Sequence, residues 1–274
     1  SWTYDVVGNR LTQTDHATGA VTRGDTTTSY SYPEAGKDAE RPHALTGTGT
    51  RTGPDGQETE TSRDYDAAGN TTRIATPHGT QALTWDAKGR LDTDTVTGTD
   101  EAGQVRNVYD AKGDLLLRKG PRTSTLYLGN GQVALDARTG ALSATRYYRA
   151  GATTIAARTS DGHVTFLLPD RQGSDTVAVD SQTQAVRRRS YTPFGEERAA
   201  TPAEWPGDRG YVGGSADPVT DLVHLGAREY DPATGRFLSG DPLLDPEDPQ
   251  QLGGYAYSAN TPVTKSDPTG LAPG

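Results

Sequence analysis

Apolar positions along this chain come singly or in short runs, and no segment sustains the i, i+3, i+4 spacing of an amphipathic helix. Segments such as Thr93-Asp94-Thr95-Val96-Thr97 carry β-branched residues through an alternating pattern, which predicts strands. Between such segments a unit recurs. Tyr4-Asp5 precedes Gly8-Asn9-Arg10-Leu11, and Tyr65-Asp66 precedes Gly69-Asn70 and then Arg73-Ile74. Trp85-Asp86 precedes Gly89-Arg90-Leu91, and Tyr109-Asp110 precedes Gly113-Asp114-Leu115. From Asp66 through Asp86 to Asp110 the spacing is roughly 20–24 residues, too short for a tetratricopeptide or ankyrin unit.

Each part of the unit has a physical role. The Asp carboxylate accepts from backbone N–H groups just downstream and closes a turn. The Gly supplies the positive φ of a tight hairpin. The aromatic ends one strand, and the Leu or Ile lies in the next. One hairpin alone is marginal, but many in series make a continuous sheet, each burying its aromatic against the next. The expected fold class is therefore all-β.

Composition agrees. Only 32% of the 274 residues are hydrophobic, and there are 33 Gly and 17 Pro, which argues against a thick core of long helices. The formal net charge of −9 argues against a nucleic-acid or anionic-membrane surface. With no Cys, thiol nucleophiles, disulfides and Cys-ligated metals are excluded. No apolar run approaches the ~18 residues of a membrane span, and no signal peptide opens the chain. Met is absent, position 1 included, which reads as a piece of something longer.

Most acidic residues read as turn chemistry. Asp92, Asp94 and Asp100 lack the spacing and the Gly of a calcium loop, and a solvated strand edge is expected there. His16, His43, His78, His163 and His224 are scattered without HxxxH pairing, so no zinc site is expected, and no other metal or cofactor. Arg187-Arg188-Arg189 reads as an exposed strand face.

After residue 165 the motifs become denser, and all three Phe lie there. Phe166-Leu167-Leu168-Pro169-Asp170-Arg171-Gln172-Gly173-Ser174 reads as strand, turn, strand. Tyr191-Thr192-Pro193-Phe194-Gly195-Glu196 follows, then the run from Arg228-Glu229-Tyr230-Asp231-Pro232 through Gly235-Arg236-Phe237-Leu238-Ser239-Gly240-Asp241-Pro242. Tyr255-Ala256-Tyr257-Ser258-Ala259-Asn260-Thr261-Pro262 and the terminal Asp267-Pro268-Thr269-Gly270-Leu271 complete the set. The Tyr-Asp…Gly units resemble YD repeats. The later motifs resemble the Rhs-repeat-associated core domain of Rhs polymorphic toxins and of the C subunits of ABC (Tc) toxin complexes.

That resemblance divides the chain into YD repeats over 1–160, a core over 165–271, and 272–274 at the start of the effector side. It implies that YD-repeat hairpins form a long curved or spiralling sheet, a partial hollow shell, which the core plugs at one end. It further implies a toxic C-terminal segment enclosed by the shell and freed when the core cuts its own chain after Leu271, at the Leu271–Ala272 bond. The family attributes the cut to aspartates with an assisting Arg, which map to Asp241, Asp267 and Arg228. Tyr230, Phe237, Tyr255 and Tyr257 are expected to pack the plug, Arg236 to be structural, and Asn260 and Pro262 to shape the turn feeding the tail inward. One departure stands out. The family often repeats Asp-Pro-x-Gly at the first aspartate, whereas Asp241-Pro242 here continues into Leu243-Leu244.

Two close carboxylates share a proton, so one activates water while the other donates. A guanidinium stabilises developing negative charge, and tethering the substrate replaces binding. The bland alternative is that Asp-Pro merely starts turns and that Arg228 pairs with Asp231 or Glu229 on the surface. A different function class, a non-catalytic structural or adhesive scaffold, also fits YD repeats. An aspartic protease acting on other proteins fits poorly, because Asp-Thr-Gly and Asp-Ser-Gly are absent. Expected partners are the chain's own effector segment and, through open sheet edges, upstream repeats, a partner subunit or a second copy. The family implies secretion or delivery by an injection system.

Overall fold

The computed structural model describes residues 1–17, 24–34, 36, 40–198, 205–243 and 253–271. The strands are β1 (Trp2–Tyr4), β2 (Arg10–Asp15), β3 (Thr26–Ser31), β4 (Gly47–Thr52), β5 (Thr59–Tyr65), β6 (Thr71–Thr76) and β7 (Gly79–Trp85). Next come β8 (Leu91–Thr97), β9 (Gly103–Tyr109), β10 (Leu115–Lys119), β11 (Thr123–Tyr127) and β12 (Gly131–Asp136). β13 (Leu142–Ala150), β14 (Thr153–Thr159), β15 (Val164–Pro169), β16 (Asp175–Asp180) and β17 (Val186–Arg188) follow. These form one 17-stranded sheet. Each strand pairs antiparallel with the next, from β1–β2 through β16–β17. A second, four-stranded sheet holds β18 (Ser215–Ala216), β19 (Val223–Leu225), β20 (Arg228–Asp231) and β21 (Arg236–Phe237). The large sheet continues past residue 165 and runs to Arg188.

The repeat unit works as its residue types dictate. Oδ1 of Asp86 accepts from the backbone N–H of Lys88 and Arg90, and Asp5, Asp66 and Asp110 close the same turn. Gly69 takes the left-handed backbone the turn requires, at φ 87°. The aromatic at the strand end reaches back along the sheet. Tyr65 donates its hydroxyl to the Leu45 carbonyl, and Tyr109 to that of Leu91. Tyr4 stays exposed. Asp170 builds the same turn with Gln172 and Ser174, although Pro169 replaces the aromatic.

The sheet curls around the second one. Trp2 in β1 meets Phe194 edge-on at 5.9 Å, and Tyr191, just past β17, meets Tyr211 at 5.7 Å. Both ends of the large sheet thus lean on one aromatic cluster of Phe194, Tyr211, Tyr230, Phe237 and Tyr257. Farther round the wall, Ile74, Leu83 and Leu91 pack on Leu222 and Leu238, and Tyr147, Ala157 and Leu167 pack with Trp205. Each fully buried aromatic or leucine contributes about 1.5–3 kcal/mol.

A thin wall with so few apolar residues also grips its plug through polar groups. Arg63 pairs with Asp231, Arg118 with Asp217 at 3.6 Å, and Tyr127 donates to Asp208 at 2.7 Å. Two sequence expectations fail for this reason. Asp94 does not lie on a solvated edge. It points into the shell with 1% of its surface exposed. Arg189 does not share the exposed face of Arg188. It is buried with its guanidinium 3.9 Å from the Trp205 ring. Alternation sets both, because every second side chain of a closed-over sheet faces the plug.

The last described segment lies across the rim that carries the Asp-Gly turns. Asn260 donates to the Gly8 carbonyl at 2.7 Å, Tyr255 to that of Gly69 at 2.7 Å, and Arg171 to that of Val263 at 3.1 Å. Gln172 donates to the Pro262 carbonyl. Ser258, Ala259 and Asn260 take positive φ in succession (49°, 50° and 58°) to turn the chain along this path.

Candidate active site

β20 places Arg228 against the terminal motif. The turn between β19 and β20 holds the tail directly, because Ala227 donates its N–H to the Thr269 carbonyl at 2.9 Å. Gly270 has φ 65°, and a Cβ there would collide with the Leu225 carbonyl oxygen, so a side chain would lift the tail off the hairpin.

Arg228 gathers five groups. Nη2 stands 2.9 Å from Asp241 Oδ2 and 3.6 Å from Asp267 Oδ2. Nη1 donates to the Gly254 carbonyl at 2.8 Å, and Nε donates to that of Gly270. The guanidinium lies 3.7 Å from the centre of the Phe237 ring, a cation–π seat. Burial pulls the Arg228 pKa below its ordinary value, against the opposing pull of Asp241 and Asp267. The group remains a cation, as guanidinium does in proteins.

The two carboxylates differ in setting. Asp267 has 2% of its side chain exposed, Asp241 15%. Oδ1 of Asp267 accepts from the Leu271 N–H at 3.2 Å and the Thr269 hydroxyl at 3.1 Å, while its own N–H donates to the Tyr257 hydroxyl at 3.2 Å. Oδ1 of Asp241 accepts from the Leu243 N–H at 2.8 Å, so this turn closes without the Gly seen in the family pattern. A cleft of about 780 Å³ opens beside them, lined by Arg228, Asp241 and Leu271 and by the turns around Gly89 and Gly113.

The geometry therefore brings Arg228, Asp241, Asp267 and Leu271 together, and Ala272 lies outside the described residues. The surface-pairing alternative for Arg228 is not what forms. Asp231 pairs with Arg63 and Glu229 with His224. Tyr230, Phe237 and Tyr257 share the aromatic cluster, and Tyr255 is buried beside Tyr65. Arg236 binds Tyr32 and the His43 carbonyl, away from Arg228's partners. Sequence reasoning missed the Tyr257 hydroxyl on Asp267 and the Gly254 carbonyl on Arg228. The second had no side-chain signal to find. Among the described residues no group of three or more His, Cys, Asp or Glu could hold a metal ion.

Comparison with known proteins places the fold that carries this arrangement. The Teneurin YD-shell family profile matches residues 132–263, and the RHS Repeat profile matches residues 65–102. The chain belongs to the Rhs-type YD-repeat family. It is 30% identical over 217 residues to the tRNA3(Ser)-specific nuclease WapA of Bacillus spizizenii, a match covering 76% of this chain and 9% of that protein. It is 31% identical over 120 residues to Teneurin-1 of Gallus gallus, covering 43% of this chain and 4% of that one. The crystal structure of TcdB2-TccC3-TEV superposes with a TM-score of 0.68 at 19% identity, over 99% of this chain and 15% of that chain. This Rhs-type chain thus spans less than a tenth of the curated relatives it matches. It has the shell architecture of toxin-like YD-repeat proteins, and no helix among its described residues is long and apolar enough to cross a membrane.

Proposed function

We propose that this chain is the shell-and-plug portion of an Rhs-type toxin that encloses a C-terminal effector and frees it by cutting its own backbone after Leu271. The observation that carries this reading is Arg228, which holds both carboxylates and the carbonyl of Gly270 at once. A cation between two acids keeps them together despite their repulsion and fixes the tail beside them.

The more exposed Asp241 is the carboxylate that water reaches, so it acts as the base. Water adds to the Leu271 carbonyl carbon and gives a proton to Asp241. The Leu271–Ala272 bond then breaks, and a proton passes from the acid pair to the Ala272 nitrogen. The products are a carboxylate at Leu271 and an amine at Ala272. Arg228 bonds the carbonyl one residue before the scissile one, so its role is to clamp the tail and hold the acids. Tethering supplies the effective concentration, and a single turnover makes modest acceleration sufficient. Delivery outside the producing cell and pairing of the β1 edge with further shell strands belong to the same reading.

The second reading, a non-catalytic adhesion scaffold, draws on the Teneurin YD-shell match, which ends at residue 263, before Asp267. The two separate on a C-terminally tagged chain. The autoproteolytic reading predicts tag loss from the wild type and retention in Asp241→Asn and Asp267→Asn. Equal retention in all three leaves the scaffold.

A further inference from the structure

The wall holds a buried acid that the proposed cleavage does not use. Asp94 on β8 faces the plug, and neither of its carboxylate oxygens has a hydrogen-bond partner among the described residues. Its cross-strand neighbours Leu83 on β7 and Val105 on β9 are apolar. Farther along the inner wall stand Asn107 and Tyr109 on β9 and Arg118 on β10. From the plug come Asp217, just past β18, His224 on β19 and Glu229 on β20. Arg118 gives its charge to Asp217 at 3.6 Å, and His224 bonds Glu229 at 2.8 Å. Among the described residues no cation bonds Asp94, whereas two plug carboxylates act on it.

An ionised carboxylate in such a place would be unpaired, desolvated and repelled. We propose that Asp94 is a proton-linked latch between shell wall and plug: carrying its proton, it lets Asp217 and Glu229 seat against β8, and losing it, it drives them away. Glu229 follows Arg228 in β20, so the latch acts on the strand that holds the tail.

The sign follows from linkage. Burial, with Asp217 and Glu229 adding to it, pushes Asp94 up to about 8. In the unfolded chain an Asp loses its proton near pH ~3.9. Across that interval the folded chain keeps a proton the unfolded one gives up, so stability falls as pH rises and levels off above about 8. Burial also raises Asp217 against the pull of Arg118, whereas at Glu229 burial is outweighed by the charge and hydrogen bond of His224 together with Arg118, which hold it below its ordinary value. Glu229 is therefore the fixed negative charge that an ionised Asp94 would meet. The plug seats firmly in acidic medium and loosens in alkaline medium.

The test compares the whole chain with Asp94→Asn, which keeps the shape and removes the charge, from about pH 5 to about pH 9, a range that brackets the proton's departure. Thermal midpoint and protection of the plug against added protease are read at each pH. Near the acid end the two proteins lie closest, since most of the loss comes at higher pH. Toward the alkaline end the variant gains on the wild type by a shift on the order of 5 °C, and its plug resists protease longer. Parallel curves for the two proteins overturn the latch. Should the variant fail to fold, a carboxyl carbon NMR titration of the wild type decides, since an Asp94 signal that titrates below about pH 5 contradicts the proposal.

Discussion

Nη2 of Arg228 lies 2.9 Å from Oδ2 of Asp241, a residue 13 positions later in the chain. The contact ties β20 to the segment after β21 and leaves Nε and Nη1 free to hold carbonyls from two other segments. One guanidinium thereby fixes the closing region of the plug.

Arg228→Ala leaves Asp267 buried without its cation, and it should cost about 3–5 kcal/mol, as removal of one partner of a buried pair does. Arg228→Lys keeps the charge but cannot span both acids and two carbonyls. Denaturant unfolding should rank the wild type above Lys and Lys above Ala. A lysine variant as stable as the wild type would show that the fork is not needed.

Tyr257→Phe keeps the ring in its cluster and removes only the hydroxyl that receives the Asp267 N–H. The expected loss is about 1 kcal/mol. Hydrogen exchange should speed up at Asp267 and Leu271 and stay unchanged in β13–β16. Uniform acceleration throughout the chain would mean that the hydroxyl supports the whole plug.

Phe237 lies under Arg228 and inside the aromatic cluster. Phe237→Ala should cost about 3–5 kcal/mol through the cavity it leaves. Phe237→Leu should recover most of the packing but not the cation seat. Thermal unfolding of both variants checks the order.

Asp180 closes a turn on the opposite rim and is held down at about 2, first by the Thr183 N–H and also by Gln182 and His163. Its contribution is present above the ordinary carboxylate range and is lost as pH falls toward about 2. Asp180→Asn should therefore flatten part of the acid limb of the stability profile. An unchanged acid limb would count against these turn bonds.

The repeat was legible because its parts are local. Asp86, Gly89 and the strands around them are set within a few residues, and the structure repeats them as the pattern required. The all-β shell follows from summing such units. Asp94 and Arg189 were misread because their burial depends on a distant segment, and nothing local says that β8 will face Asp217 or that Trp205 will cover β17's end. The grouping of Arg228, Asp241 and Asp267 came from motif resemblance rather than spacing. The backbone carbonyls of Gly254 and Gly270 that complete it have no side-chain signature at all.

Intact-mass measurement on a chain extended beyond Gly274, together with N-terminal sequencing of any released piece, reaches the proposed chemistry without intermediaries. The expected result is a shell fragment ending at Leu271 and a released piece beginning at Ala272, both absent when Asp241 is replaced by Asn. A single uncut mass for the wild-type chain, or a cut elsewhere that survives the Asp241→Asn change, contradicts it.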